Sequence, residues 1–420
     1  PGDGICATAG GQCTLRAAIQ EANALAGADT IILPAGTYPL TTPGTGENLA
    51  ARGDRDITPD LIITGANAAS TIIEGNGMDR GLDIFADADV AISGVTIRNG
   101  NAGAGALGGG IRNFGTLTLT DVTINGNTAG TFGGGIANNG TLILTNVTIS
   151  TNTGKDGGGL FNGFEASATL TNVTISTNTA SSRGGGIFNI GTLELTNATI
   201  STNTASSGGG LLNNGGSVAL KDTIVANSPS GGNCAGSGVT SLGHNLEDAD
   251  TCGFTSPGDL INTDPLLGPL AANGGPTSTH ALLPGSPAID AGSLDCPPPD
   301  TDQRGLTRPQ DGNGDSIAVC DIGAYEFGAA PPPSFLLSVS VKGKGTVTGP
   351  GIDCRMNPTR DPDGCTEAYP SGTEVTLMAT PDSEFRFVRW RGACAEQGNP
   401  CSLTMDGDKS VTAIFRRGRR

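Results

Sequence analysis

Apolar residues return in short alternating sets along the middle of the chain. Leu117 and Leu119 are followed by Val122 and Ile124, Leu142 and Leu144 by Val147 and Ile149, and Leu193 and Leu195 by Ala198 and Ile200. Alternation in twos buries one face of a strand. A single polar residue separates the two strands of each set: Asp121, Asn146, Asn172, Asn197 or Asp222. These types tolerate left-handed backbone and bond to their own turn. A third apolar position follows a glycine triplet, at Ile111, Ile136, Leu160, Ile187 and Leu211. The triplets end at Gly110, Gly135, Gly159, Gly186 and Gly210, in steps of 25, 24, 27 and 24 residues. Three strands and three bends per repeat predict one coil of a right-handed parallel β-helix, its coils stacked about 4.8 Å apart.

Polar residues recur in the same register. Asn113, Asn138, Asn162, Asn189 and Asn213 form one set, and Asn127, Asn152, Asn178, Asn203 and Asn227 a second. Stacked amides bond to the copies above and below, so both sets are expected to be structural ladders. Thr123, Thr148, Thr174 and Thr199, with Asn125, Ser150, Ser176 and Ser201, are expected to face outward. A phosphate-binding reading of the glycine triplets fails because strands, not a helix, follow them. Upstream, Leu15, Ala18, Ile19, Ala22 and Leu25 share one helical face, which predicts a short helix capping the first coil. The coils of roughly residues 40–100 are less regular.

The repeat decays after Cys234. "GPLAANGGPTSTHALLPGSPAIDAG" and the Gly/Asp-rich stretch after it predict a terminal coil with long loops. "GAAPPPS" reads as a semi-rigid linker. The alternating segments beyond it predict a small β domain with Trp390 in its core. The expected organisation is therefore an N-terminal cap (1–30), the β-helix with its irregular terminal coil (31–327), the linker (328–334) and a β-rich domain (335–420).

Composition fits a stack of thin coils. Only 4% of residues are aromatic and 68 are glycine, where a globular core would use more rings. Residues 1–334 carry 11 Lys/Arg against 30 Asp/Glu, and residues 335–420 carry 12 against 10. The acidic part argues against nucleic acid or anionic lipid as partners. The ten cysteines fall into neighbouring pairs: Cys6 with Cys13, Cys234 with Cys252, Cys296 with Cys320, Cys354 with Cys365, and Cys394 with Cys401. With no C-x₂-C pair and two histidines, zinc fits poorly. Local disulfides and an oxidising compartment are expected. No apolar run is long enough to span a bilayer. The chain starts inside loop-like sequence, consistent with a leader already removed or with a fragment.

Candidate chemistry is sparse. Polysaccharide hydrolysis needs two carboxylates facing one cleft, and the regular coils show no clustered acids and bases. The irregular coils hold "RGDRD" (Arg52–Asp56) and "GNGMDRGLDIFADAD" (Gly75–Asp89), where a catalytic set would sit. Asp54, Asp56 and Asp79 are the residues to test. The "RGD" tripeptide lies in ordinary polar loop. His244 and His280 lack any flanking motif of a catalytic triad. Asp311, Asn313 and Asp315 alternate oxygen ligands around glycines, which suits either a structural calcium or simple Asx turns. Arg304 and Arg308 are placed to pair with Asp302, Asp321 or Glu326.

"CTLRAAIQEAN" with the Gly/Asn coils resembles bacterial secreted β-helix proteins beginning C-S-L-R-E-A-I, with Thr14 and Ala17 in place of Ser and Glu. "GGPTSTHALLPGSPAIDAG", "DQRGLTRP" and "CDIGAYE" resemble the choice-of-anchor segment of the same group, and the "GGGI…N" coils are similar to polymorphic outer-membrane-protein repeats. "GTEVTLMATPDSEFRFVRWRGAC" with "DKSVTAIF" resembles a divergent internalin-type B repeat. The resemblance implies export to the cell surface or extracellular matrix and a structural or adhesive role. The first reading is a non-catalytic structural or adhesive protein, with no catalytic residue and no cofactor beyond structural calcium. Its expected partners are further copies of itself in a filament, or a surface or glycan. The alternative is a carbohydrate-active enzyme, a polysaccharide lyase or glycoside hydrolase, using the irregular coils.

Overall fold

The computed structural model describes residues 2, 6, 13–44, 48–328, 334–355 and 365–417. The expected linker therefore lies largely outside the described residues. Three strands per repeat are observed, and they stack as parallel sheets. One face carries strands such as Thr116–Thr120 and Thr141–Thr145, the second Thr123–Asn125 and Thr148–Ser150, the third Ile111–Asn113, Ile136–Asn138 and Leu160–Asn162. The first two faces share a sheet, and the third is an eight-stranded parallel sheet. Register is kept rung by rung: Leu117 lies over Leu142, Leu144 over Leu170, and Leu170 over Leu195. These aliphatics are buried within a single core that runs the length of the stack.

The bends explain the spacing. Asp121, Asn146, Asn172, Asn197 and Asp222 all sit at φ between 49° and 56°, left-handed backbone where Asn and Asp are least strained. The first glycine of each triplet is also left-handed. At Gly133 (φ +66°) a Cβ would come within 2.2 Å of the Ile136 carbonyl oxygen, so no other residue fits.

Buried amides run vertically beside the core. Asn113 Nδ2 donates to Asn138 Oδ1 (2.7 Å), Asn138 to Asn162 (2.8 Å), Asn162 to Asn189 (2.8 Å) and Asn189 to Asn213 (2.8 Å). In the second ladder Asn127, Asn152 and Asn178 each donate to the next asparagine, ending on Asn203. Asn227 does not belong to it. Ser201 pairs in register with Ala226, so Asn227 falls beneath Thr202 at an exposed left-handed bend, and Ser228 takes the ladder position. The one-residue shift reflects one extra residue in the bend between Asn213 and Ser217, where the spacing between rungs rises from 24 to 25.

Both ends of the stack are closed. The helix Leu15–Ala24, with Thr14 Oγ1 accepting from Ala17 N at its start, buries Leu15, Ile19 and Ala22 in the core. At the far end Cys234, Cys252 and Phe254 join the same core.

The cysteines pair as their spacing suggests, and the five disulfides sit in different settings. Cys6 is bonded to Cys13 just ahead of the capping helix, with Cys13 exposed and outside the core. Cys234 is bonded to Cys252 at the end of the stack. Cys296 is bonded to Cys320, with Cys320 buried, inside the segment that follows the last coil. Cys354 with Cys365, and Cys394 with Cys401, belong to the C-terminal domain.

The segment expected as a terminal coil behaves differently. From Leu267 to Phe327 it runs along the second face of the solenoid. Thr148 Oγ1 donates to Ser278 O, Thr174 Oγ1 to Gln303 Oε1 (2.6 Å), and Ala324 N to Thr199 Oγ1 (3.1 Å). Asn172 and Asp222 are engaged by Thr301 and Ser293. Thr148, Thr174, Thr199, Ser150, Ser176 and Ser201 are consequently buried rather than solvent-facing, while Thr123 and Asn125 stay half-buried. A strand pattern says which side points away from the core, not whether another segment covers that side.

The C-terminal strands build a separate core. Two four-stranded sheets enclose Leu337, Val347, Val375, Leu377, Trp390, Val411 and Phe415, with the two local disulfides as staples.

Removing one ladder amide orphans its neighbours. Asn178→Ala leaves the Asn152 N–H and the Ile149 carbonyl without their partners, a cost of about 2–4 kcal/mol in chemical denaturation. Asn227→Gly, at an exposed left-handed bend, changes stability by less than about 0.5 kcal/mol.

Candidate functional site

The third face changes character along its length. Each short strand points one residue outward, set from Arg112 onward between an inward aliphatic and a ladder asparagine, and stacking aligns these into a column: Asp56, Asp83, Arg112, Ala137, Phe161, Phe188, Leu212. The lower half is apolar. Phe161 packs on Phe132 (centroids 4.6 Å apart) and lies 5.8 Å from Phe188, while the Arg183 guanidinium lies 4.6 Å over Phe188 and pairs with Asp156. These side chains form a small second core outside the coils.

The upper half is ionic. Carboxylate oxygens of Asp54, Asp56 and Asp83 lie within 4.8 Å of one another, the one such group of three found among the described residues. Arg80 Nε stands 2.9 Å from Asp54 Oδ2, and Arg80 Nη1 3.8 Å from Asp83. Arg112 closes on Asp83 through both nitrogens of its fork, Nε donating to Oδ1 at 2.8 Å. Asp56 Oδ2 accepts from Ala50 N at 2.7 Å. Arg16, from the capping helix, donates to the carbonyls of Ala50, Gly53 and Asp54, and so ties the loop over the cluster. Arg55 donates to Tyr38 O (2.7 Å) and Gly81 O.

Burial dominates the electrostatics. It raises the Asp54 carboxyl to about 7, against the lowering effect of Arg80 and with Asp79, Asp56 and Asp83 adding to the rise. It raises Asp79 as well. It lowers Arg55 to about 9, helped by the charge of Arg16. A carboxyl near 7 suits proton transfer in principle. Yet Asp54 is 6% exposed, Asp83 1% and Asp56 0%. The geometry is that of a packed ion network that locks the cap, the Asp54 loop and three rungs together.

Other candidate residues fall apart in space or become structural. Gly53 and Asp54 of the "RGD" stretch are buried, so it is not displayed as an attachment loop. His280 Nε2 lies 2.8 Å from Ser176 Oγ and its Nδ1–H donates to Gly268 O (2.7 Å), with burial lowering its pKa. Its second partner is a carbonyl, not a carboxylate, and the pair pins the covering segment to the solenoid. Arg304 pairs with Asp302 and Arg308 with Glu326, inside that segment. Asp311, Asn313 and Asp315 turn their oxygens onto the N–H groups of Gly314, Ser316, Asp315 and Ile317. Sequence reasoning does not single out Arg16, Arg80 or Arg112. The available signal was a charged residue at the middle of the third strand, where later repeats place Ala, Phe or Leu.

Residues 336–419 match the family described as Divergent InlB B-repeat domain, about a fifth of the chain. Among solved structures, the crystal structure of pectate lyase Pel9A aligns over 71% of this chain and 88% of its own, at 14% identity and a TM-score of 0.38. That likeness is too loose to bear on substrate or mechanism. No curated protein matches.

A raised carboxyl pKa has a defined consequence for stability. The native state holds the Asp54 proton more tightly than the unfolded chain, so this group's contribution is lost as pH rises from about 4 to about 7. Asp54→Asn lacks the ionisation. Its melting temperature should gain on the parent's steadily across that window, and a constant difference would show that Asp54 titrates normally.

Proposed function

We propose that the chain is a secreted or surface-associated, non-catalytic structural and adhesive protein: a rigid β-helix rod carrying a B-repeat module. The observation that supports this best is the closure of the Asp54, Asp56 and Asp83 cluster. Its carboxylates are buried, Asp54 and Asp83 bound by Arg80 and Arg112 and Asp56 by the Ala50 N–H, where a hydrolase or lyase would turn them toward an open cleft. Five disulfides favour an oxidising, extracellular location. No helix among the described residues is long and apolar enough to cross a membrane. The second face, where the hydroxyl columns were expected to face outward, is occupied by the chain's own covering segment.

The alternative, a carbohydrate-active enzyme, draws on one observation, the Asp54 carboxyl raised to about 7 beside two further carboxylates. A screen on neutral and acidic polysaccharides separates the two. The structural reading expects no turnover above background. Turnover by the parent that falls at least about 100-fold in both Asp54→Asn and Asp83→Asn would establish the enzyme instead.

Calcium is not required by this reading. Both carboxylate oxygens of Asp311, Asn313 Oδ1 and Asp315 Oδ1 accept backbone N–H groups, so the loop is held by Asx turns of its own. Melting temperature with calcium and with excess chelator is expected to be the same. A rise with calcium that Asp311→Ala removes would place an ion there.

A further inference from the structure

Charge is divided between the two parts of the molecule, and the division becomes local in the structure. In the B-repeat module the strand Phe385–Gly392 is an edge strand, paired only with Lys409–Arg417. Phe387 and Trp390 face the core, opposite Phe415 and Ala413. Arg386, Arg389 and Arg391 therefore stand on the outer side, opposite Arg416, Ile414 and Thr412, and all four arginines are exposed. Lys342 extends this face on the next strand, beside Ile414. None of the four guanidinium groups has a carboxylate partner among the described residues, whereas neighbouring Arg417 pairs with Glu384 at 2.7 Å. Arg386 lies directly across from Arg416, a like-charge pairing that costs stability in isolation. Exposed Val388 lies among them.

The solenoid carries the opposite pattern at the bend leading into its first face. Asp60 is exposed there on one rung, Asp87 and Asp89 on the next, and Glu165 three rungs further on, with no cationic partner among the described residues. Asp60 and Asp89 sit side by side, Asp60 Oδ1 accepting from Asp89 N. Phe114 and Phe164, 42% and 74% exposed, lie on the same bend. From the Asp60 rung to the Glu165 rung is four stacking steps, about 19 Å, and Arg386 to Arg391 spans about 17 Å of strand. Two unpaired surfaces of opposite sign and similar length, each with exposed apolar residues among its charges, thus lie on different parts of one molecule.

We propose that the arginine face of the module docks on the acidic bend of a second copy of this chain. The inference rests on the structural reading above and specifies its contact. Because the two patches differ, the contact is heterologous and repeats from copy to copy. Coil-on-coil stacking is not available, since the helix Leu15–Ala24 and the Cys234–Cys252 loop cover the two ends. Contacts made of exposed ion pairs are weak singly and screened by salt, so the association is expected at high local concentration.

Sedimentation of the full chain from about 5 to about 500 µM, at about 50 and about 500 mM NaCl, tests it. Mass beyond one chain should grow with concentration at low salt and weaken at least tenfold at high salt. Two charge-reversed triple variants complete the test: Arg386→Glu with Arg389→Glu and Arg391→Glu, and Asp87→Lys with Asp89→Lys and Glu165→Lys. Each should be monomeric alone, with parental circular dichroism, and the two should associate when mixed. A parent that stays monomeric at low salt overturns the proposal, as does association that survives both reversals or a mixture that stays dissociated. A monomeric parent that binds an acidic polysaccharide through the same arginines would likewise overturn it, assigning the face to an external polyanion. None of these outcomes depends on the turnover screen, so this contact and the non-catalytic reading fail separately.

Discussion

Every rung of this solenoid is held by groups that only the next rung can satisfy. Backbone N–H and C=O groups point along the stack, and so do the buried amides of Asn127, Asn152 and Asn178, each of which donates to the following asparagine while also bonding a core strand's carbonyl. A buried amide left unpaired is costly. The repeat is therefore constrained in register far more tightly than in length. Steps of 24 to 27 residues are tolerated because the extra residues leave at bends, as in the Phe164–Ala166 loop, while Asn138 still meets Asn162 and Asn162 still meets Asn189. Where Ser228 takes the place of an asparagine, the ladder stops.

A stack of this kind has two exposed ends and three exposed faces, and the rest of the chain deals with several of them. The amphipathic helix closes one end and a disulfide-bound loop the other. The segment from Leu267 to Phe327, itself stapled by the bond between Cys296 and Cys320, covers the second face and gives its threonine hydroxyls partners in Ser278, Gln303 and Ala324. The third face is covered by its own bends, ionic near the front and aromatic further back. What is left open is the first face with its adjoining acidic bend. That distribution bears on function, because an enzyme of this architecture needs an open groove with charged residues at its floor. Here the charged floor is closed and the open surface carries mainly hydroxyls and scattered acids.

The ionic cluster shows how burial changes the meaning of a residue. Asp54 and Asp83 in water would be ordinary carboxylates. Packed beside Arg80 and Arg112 under a loop tied by Arg16, they become a lock between the cap and the rungs, and Asp54 carries a proton affinity shifted to about 7. A perturbed carboxyl marks a functional site only where substrate can reach it. In this molecule the same shift is the mark of burial, which outweighs the opposing charge of Arg80.

The rung itself was readable from the chain alone. Leu117, Leu119, Val122 and Ile124 alternate in a local pattern, Asp121 and Asn146 mark bends by their own backbone preference, and a period near 25 residues forces like positions into register. The cysteine pairs were legible for the same reason: Cys13 lies seven residues from Cys6 and Cys320 lies 24 from Cys296, so each bond closes a short loop. What covers each face was settled only by folding. Thr174 meets Gln303 across 129 residues, and Arg16 reaches Asp54 across 38. No local propensity encodes such contacts, because they depend on where a distant segment comes to rest. The candidate site was half visible: Asp54, Asp56 and Asp79 stood out as acids, but the pairing of Asp54 with Arg80 and of Asp83 with Arg112 is a property of stacked rungs, which bring together charges that lie tens of residues apart along the chain.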